Sequence, residues 1–336
     1  MKVALITPHY VPATRGNSVT VRRIARHLSA AGCAVEVLSR DTLDEAEIRL
    51  QVAAASPDVV HCFHALSTGP LAMELAAAAG VPLVVTFTGT DAYQALEGES
   101  VGEVRRVVEA ASVVVVFHDS IRRRLLRFFP SAGGKISVIP QGVEVPAASG
   151  GPRGGTETLF FLPAGLRPVK NVTFALEPLE RLARRHPLRF LVAGPALDAA
   201  YAADSLQAMQ RFPFAHYAGE VEHEGMGELY RQSDVVLNTS FSEGGMANSV
   251  LEAFAWGRCV LASDIEGNRS LVREGVTGLL YASEEEFAEK AGLLLREPEL
   301  RRELGENGLR LVPEKHSPQG EAAAYLEVYR RVKGEG

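Results

Sequence analysis

Cysteine is scarce in this chain: three residues in 336, Cys33, Cys62 and Cys259, odd in number and scattered. They have no metal-ligand spacing and make no disulfide framework, so they read as small buried residues in a reducing compartment. Long apolar runs are also missing. No stretch approaches the roughly 20 residues that a membrane span needs. The opening "MKVALITPHY" holds an apolar run too short for a signal peptide, and it predicts a core strand instead. These absences lead to the expectation of a cytoplasmic protein. Positive charge is not in excess: the formal net charge is −6, which argues against a nucleic-acid binder. Short repeats are absent as well.

What is present is the composition of a soluble globular protein, 46% hydrophobic and 23% charged. A chain of this length suits two domains of about 150 residues each. Short β-branched runs alternate with helical patterns, the signature of parallel sheets covered on both faces. "KVALIT", "AVEVLS", "DVVHCF", "PLVVTFT", "SVVVVF" and "KISVIP" predict strands in the first half. Between the first two, Asn17 or Ser18 can cap a helix. Val21, Ile24, Ala25, Leu28 and Ala31 share one face of it, Arg22, Arg23 and Arg26 lie opposite, and Gly32 can end it. The pattern stops in the glycine-rich "VPAASGGPRGGT" and restarts at "ETLFFL". The expected organisation is therefore a doubly wound α/β domain over 1–145, a linker over 146–156 and a second such domain over 157–315. A C-terminal segment, 316–336, is expected to form a helix docking across the domains through Leu326, Val328 and Tyr329. In open sheets of this kind ligands bind beyond the carboxyl ends of the strands, and two facing sheets would enclose a cleft.

The loop "PHYVPATRGNS" after the first strand contains Arg15, Gly16 and Asn17. Gly16 lets the backbone approach a ligand, and the following helix offers N–H groups to an anion. The loop has neither the G-x-G-x-x-G spacing of a dinucleotide fingerprint nor the G-K-S/T of a Walker loop. "LFFLPAGLRPVKNV" places Arg167 and Lys170 three residues apart at the end of a strand, after Gly165. Two cations there suit a diphosphate: arginine grips two oxygens in a fork and lysine acts as a movable point charge. "SDVVLNTS" predicts another strand and "FSEGGMA" the loop after it, with a helix opening near Asn248, whose side chain can cap it. Glu243 among glycines can accept hydrogen bonds from hydroxyls, and Glu252, one turn into the helix, can accept from a diol. Phosphates on a helix end, with polyol on two carboxylates, describe a nucleotide sugar.

The stretch "SFSEGGMANSVLEAFAWGRCVLASDIEGNRSLVREGVTGLL" resembles the donor-site signature of the family-4 retaining glycosyltransferases, which have the GT-B fold. "DVVHCFH", "KISVIPQGVE", "AGLRPVKN", "LVAGP" and "LYRQSDVVLNTS" follow in the family's order. The resemblance implies that Glu243 contacts hydroxyls of the transferred sugar, that Glu252 holds the ribose, and that Arg167 and Lys170 bind the donor diphosphate. It implies that N–H groups near Gly245, Met246 and Ala247 complete the cradle. Front-face attack, with the leaving phosphate taking the acceptor proton, is implied too, with no cofactor and no tightly bound metal. Where the family offers a His in T-x-H-G, "TFTGTD" has Thr88, and Asp91 follows; His118, at the end of the next strand, is a candidate substitute. "RGNSVT" and "TGTD" are also similar to the selenosugar-forming branch of the superfamily.

The expected function is retaining transfer of a sugar from a nucleoside-diphosphate sugar, with UDP as the carrier, to a small-molecule, glycan or lipid-linked acceptor. Arg15, Asn17, Thr88 and Asp91 are placed on the acceptor side. A nucleotide-sugar epimerase on the same fold and a non-catalytic nucleotide-sugar-binding protein are the alternatives. "DSIRRRLLRFFP" sets Arg122, Arg123, Arg124 and Arg127 beside apolar residues. This pattern fits a surface helix with a core-facing stripe better than it fits weak contact with an anionic membrane surface. His61 and His64 are three apart on a strand, hence on opposite faces, which disfavours a metal pair.

Overall fold

The computed structural model describes residues 1–11, 16–147, 156–243 and 245–334. Of the sequence expectations, Arg15 and most of the glycine-rich linker lie outside the described residues. The chain divides into two compact units, Met1–Gly142 with His316–Gly336, and Val143–Lys315.

The first unit is built on a six-stranded parallel sheet of β1 (Lys2–Thr7), β2 (Ala34–Ser39), β3 (Val59–Phe63), β4 (Leu83–Thr86), β5 (Val113–Val116) and β6 (Ile136–Val138), in the order β2-β1-β3-β4-β5-β6. The period of two along β1 divides its side chains between two cores. Val3 and Leu5 join Val21, Ile24 and Leu28 on one face, while Ala4 and Ile6 join Leu38, Val60 and Leu71 on the other. Burial on both faces explains why these strands read as continuous apolar runs. The second unit repeats the plan with β7 (Thr158–Pro163), β8 (Leu188–Ala193), β9 (Ala215–Tyr217), β10 (Val235–Asn238), β11 (Cys259–Ser263) and β12 (Leu279–Tyr281), in the order β12-β11-β10-β7-β8-β9. Each chain path winds outward on one side and then reverses, between β1 and β3 in the first sheet and between β7 and β10 in the second. At such a reversal the loops from two adjacent strands part and leave a crevice at their carboxyl ends.

The helix Gly16–Ala30 buries Val21, Ile24, Ala25 and Leu28 as expected, and Gly32 follows it at φ 89°, in the left-handed region that favours glycine. Arg23, expected on the solvent face, is instead 7% exposed and grips the buried Glu321 in a fork, Nε to Oε2 at 2.7 Å and Nη2 to Oε1 at 3.0 Å. The reason is the final helix, Pro318–Lys333, which covers that face. It starts with the Ser317 hydroxyl accepting from the Gly320 N–H and is followed by Gly334 at φ 79°. Its Ala322, Tyr325, Val328 and Tyr329 are buried in the same core as Val3 and Leu5. Among the described residues no helix is long and apolar enough to cross a membrane.

Candidate functional site

The crevice at the β7/β10 reversal gathers the residues that carry charge. The loop after β7 passes close to the end of β8, where a Cβ on Gly194 would lie 2.3 Å from the Ala164 carbonyl oxygen, so that position requires glycine. An isolated parallel bridge, Leu166 to Ala196, then holds the loop. Arg167 follows in extended backbone and opens a single tight turn, Pro168–Lys170, closed by the Lys170 N–H donating to the Arg167 carbonyl at 3.0 Å. The Arg167 side chain is exposed and takes no ion pair among the described residues. Asn171 leaves the turn at φ 46°, a conformation asparagine tolerates.

The loop after β10 is stitched to this turn. The Thr239 hydroxyl donates to the Lys170 carbonyl at 2.7 Å, and the Phe241 N–H donates to the Val169 carbonyl at 2.9 Å. Lys170 Nζ then reaches Glu243 Oε1 at 2.5 Å, both side chains being mostly buried. The Ser240 hydroxyl at 2.8 Å and the Asn238 amide at 3.1 Å donate to that same oxygen. Burial by itself would push the Glu243 carboxyl up. The Lys170 ammonium and the donors from Lys170, Ser240 and Asn238 outweigh burial and hold it below its ordinary value, so it is ionised at neutral pH.

The helix behind the loop is Asn248–Ala255. Its cap is Ala247 rather than Asn248, and the cap residue makes no side-chain hydrogen bond of its own. Asn248 is already helical, so it cannot cap its own helix, and the helix N-terminus faces the loop that follows β10. Gly245, Met246 and Ala247 are buried in this loop. Glu252, one turn in, accepts from the Tyr230 hydroxyl at 2.6 Å. Burial, and then the Glu252 charge, push the Tyr230 hydroxyl well above its ordinary value, so it remains a donor. Tyr230 was not anticipated from sequence, because nothing in "GELYRQ" signals a partner 22 residues away. Gly165 faces Leu197, the tip of a flexible side chain, so its lack of a Cβ serves close packing rather than an obligatory turn.

In the first unit, Gly16 is exposed at the start of its helix, and the Asn17 amide donates to the Thr7 hydroxyl at 3.3 Å. Asp91 is fully buried and accepts from the Ala65, Thr88 and Gly89 N–H groups at 2.8, 3.1 and 2.8 Å. Its carboxylate thus ties the loops after β3 and β4 together and is used within the protein; Thr88 is half-buried on the β4 loop. His118 is 5% exposed, caps the helix Asp119–Phe128 by position, and pairs through Nδ1 with the Ser120 hydroxyl at 2.6 Å.

His61 lies in the core between the Tyr329 hydroxyl at 2.7 Å and the Thr86 hydroxyl at 2.8 Å, using both ring nitrogens. Burial lowers its pKa to about 3, so it is neutral. His64 sits beside the β1/β3 reversal at φ 79°, a region that residues with side chains rarely adopt. Its Nδ1 accepts from the Ser67 N–H at 3.0 Å, which leaves Nε2 to carry the proton and donate to the exposed Thr90 hydroxyl at 2.9 Å. No sequence signal marks a histidine for positive φ. On the basic helix, Arg122 and Arg123 pair with Asp119, and Arg124 reaches the Ala92 carbonyl and lies over the Tyr93 ring.

Two doubly wound six-stranded parallel sheets in one chain are the architecture of the GT-B class of two-domain α/β proteins. Residues 157–297 match the family model described as Glycosyl transferases group 1, and residues 44–145 match Glycosyltransferase Family 4. Both units thus match glycosyltransferase family models, which supports glycosyltransferase function. The chain is 28% identical over 338 residues to Glycosyltransferase 1 domain-containing protein 1 of Xenopus tropicalis, covering 96% of each. It is 28% identical over 230 residues to the D-inositol 3-phosphate glycosyltransferase of Nocardia farcinica, 61% of this chain and 49% of that one. Among solved structures, Anabaena HepE in complex with UDP-glucose aligns with TM-score 0.80 and 17% identity, over 98% of this chain and 99% of that chain. Sucrose-phosphate synthase from Thermosynechococcus elongatus aligns with TM-score 0.84 and 18% identity over 100% of both.

Proposed function

We propose that the protein is a retaining glycosyltransferase that takes a sugar from a nucleoside-diphosphate sugar, with uridine as the base, and passes it to a hydroxyl of a small-molecule, glycan or lipid-linked acceptor. The observation that carries this reading is the β7/β10 crevice. There an exposed Arg167, Lys170, the N-terminus of the helix Asn248–Ala255 and the acids Glu243 and Glu252 stand on two adjoining loops and one helix. The UDP-glucose complex of the structurally similar HepE supports the donor class.

In this reading Arg167 and Lys170 take the diphosphate, with the N–H groups that open the helix at Asn248. Glu243 and Glu252 accept from hydroxyls of the transferred sugar and the ribose. Departure of the nucleoside diphosphate builds negative charge, so these donors stabilise the transition state more than the bound donor. The leaving phosphate, rather than a side-chain base, takes the acceptor proton and delivers the acceptor to the same face. On the first unit, the polar candidates are His118, paired with Ser120, and Thr90, whose exposed hydroxyl is held by His64. Asp91 acts by shaping the loop that bears Thr88 and Thr90.

Removing Arg167 or Lys170 should cost on the order of 3 kcal/mol, about a hundredfold in turnover. Arg167→Ala should leave the melting temperature little changed, whereas Lys170→Ala strips the buried Glu243 of its ion-pair partner and should lower it. The measurement is nucleoside-diphosphate release from UDP-sugars by the wild type, Arg167→Ala and Lys170→Ala, with NMR of the product's anomeric configuration. Near-normal rates in either variant, or an inverted product, would refute the assignment. Epimerised nucleotide sugar formed without acceptor would favour the epimerase.

A further inference from the structure

Glu243 stands in a glycine-flanked loop, and something other than its own backbone must hold its carboxylate. The single helical turn Glu266–Arg269, which follows β11, lies directly beneath. A Cβ on Gly267 would meet Glu243 Cβ at 2.6 Å and the Gly245 carbonyl oxygen at 2.9 Å, so loop and turn are in contact. The next residue, Asn268, is 0% exposed. A primary amide taken wholly out of water needs a reason, because its donors and acceptor must be satisfied inside the protein.

Asn268 Nδ2 donates to the Ser263 carbonyl at 2.9 Å, with Ser263 Oγ at 3.1 Å and Asn238 Oδ1 at 3.2 Å. The flipped amide would set a carbonyl oxygen against two acceptors, so these neighbours fix its orientation. Asn238 is 3% exposed at the last position of β10, and its Oδ1 also accepts from the Ser240 N–H at 3.1 Å. With Oδ1 committed, Nδ2 has to face Glu243 Oε1 at 3.1 Å and Ser249 Oγ at 3.4 Å. Ser263 Oγ donates to the Ser240 carbonyl at 2.7 Å and clamps the same loop. The polarity runs one way, from Asn268 through Asn238 to Glu243. Asn268 Oδ1 finds no hydrogen-bond partner among the described residues. Two apolar side chains would fill this space without that cost, so packing does not account for the pair.

We infer that Asn268 and Asn238 are positioning residues: a buried two-amide relay that saturates Oε1 of Glu243, opposite Lys170, and so presents Oε2 to a hydroxyl of the transferred sugar. The inference rests on Glu243 being the sugar contact. It predicts that the relay governs recognition of the sugar and not of the nucleoside diphosphate, which is gripped by other residues.

The test is calorimetric binding of UDP and UDP-glucose to the full chain, or of the nucleotide and nucleotide sugar preferred among UDP-galactose, UDP-N-acetylglucosamine and GDP-mannose. In Asn268→Ala the ratio of the two affinities should shift about tenfold against the nucleotide sugar, the scale of one hydrogen bond to a charged group, with nucleotide affinity unchanged. Asn238→Asp, which keeps volume and turns the donor facing Glu243 into an acceptor, should shift it further. This second variant keeps the test open if the first folds poorly. Glu243→Gln with Asn268→Ala should be no worse than Glu243→Gln alone. An unchanged ratio, equal losses for both ligands, or multiplying losses in the double variant would overturn the relay. A Glu243→Gln variant that binds both ligands as the wild type does would overturn the reading of Glu243, and the relay with it. Failure of the wild type to bind any of these nucleotides would count against the proposed function itself.

Discussion

His64 holds a left-handed backbone at φ 79° because its surroundings over-determine it. Its N–H donates to the Thr86 carbonyl at 2.9 Å, its carbonyl accepts from Thr68, and both ring nitrogens are engaged. Strain retained at the carboxyl edge of a sheet points toward use. Replacing His64 by Ala or by Gly removes the same ring, but only Ala keeps a Cβ in the disfavoured region. His64→Gly should therefore be more stable than His64→Ala by about 1 kcal/mol, read as a difference in denaturant midpoint at equal slope. His61 gives a pH prediction. Its pKa falls to about 3 in the fold from an ordinary 6.5, so between those values the unfolded chain binds a proton that the native chain refuses. Stability should then decline as pH drops below about 6.5, and at roughly 1.4 kcal/mol per unit this loss amounts to several kcal/mol. His61→Gln should flatten the dependence, measured by urea unfolding between pH 7.5 and 5; an unaltered slope would mean that His61 is not the buried titrating group.

At the scale of elements, motif and geometry agree at the two strand ends of the second unit and part at the helix that follows. "LFFLP" and "VVLN" are apolar runs bounded by turn residues, and they form β7 and β10 where expected. The cations and acids lie just past them, so the sequence order alone put Arg167, Lys170 and Glu243 at strand ends. Asn248 read as a cap because it is the first polar residue before an apolar helix. The helix begins one residue earlier than a cap at Asn248 allows, and Ala247 takes that position. The edge strands β9 and β12, three residues each, are too short to show a period. The turn Glu266–Arg269 offered no pattern either, yet it props the acidic loop. Gly267→Ala should force Glu243 and Gly245 aside, because the added methyl would sit at 2.6 and 2.9 Å from them. Turnover of the nucleotide sugar should fall at least tenfold while the unfolding free energy drops by about 1–3 kcal/mol, the range for overpacking. Wild-type turnover in that variant would show the loop to be freely adaptable.

At the scale of the molecule, the first unit is assembled from both ends of the chain. Arg23 and Glu321, 298 positions apart, meet at 2.7 Å with 7% and 1% side-chain exposure. Glu321→Ala would remove the forked carboxylate from a buried guanidinium and should cost up to about 3–5 kcal/mol, whereas Arg23→Met with Glu321→Leu should recover most of it. Chemical unfolding of the three proteins checks this; equal losses in the single and double variants would mean that the pair contributes net stability beyond filling the space.

Composition and periodicity by themselves determined the α/β class, the number of sheets and most of the strands, because local apolar patterning must match the period of the element it forms. Motif spacing further placed the charged residues at the ends of strands. Only the tertiary structure decided that Lys170 and Glu243 touch, that Tyr230 supports Glu252, that Arg23 is buried, and that His64 is strained. Each of these depends on which elements the topology brings side by side, and a contact between distant residues leaves no local pattern in the sequence of either.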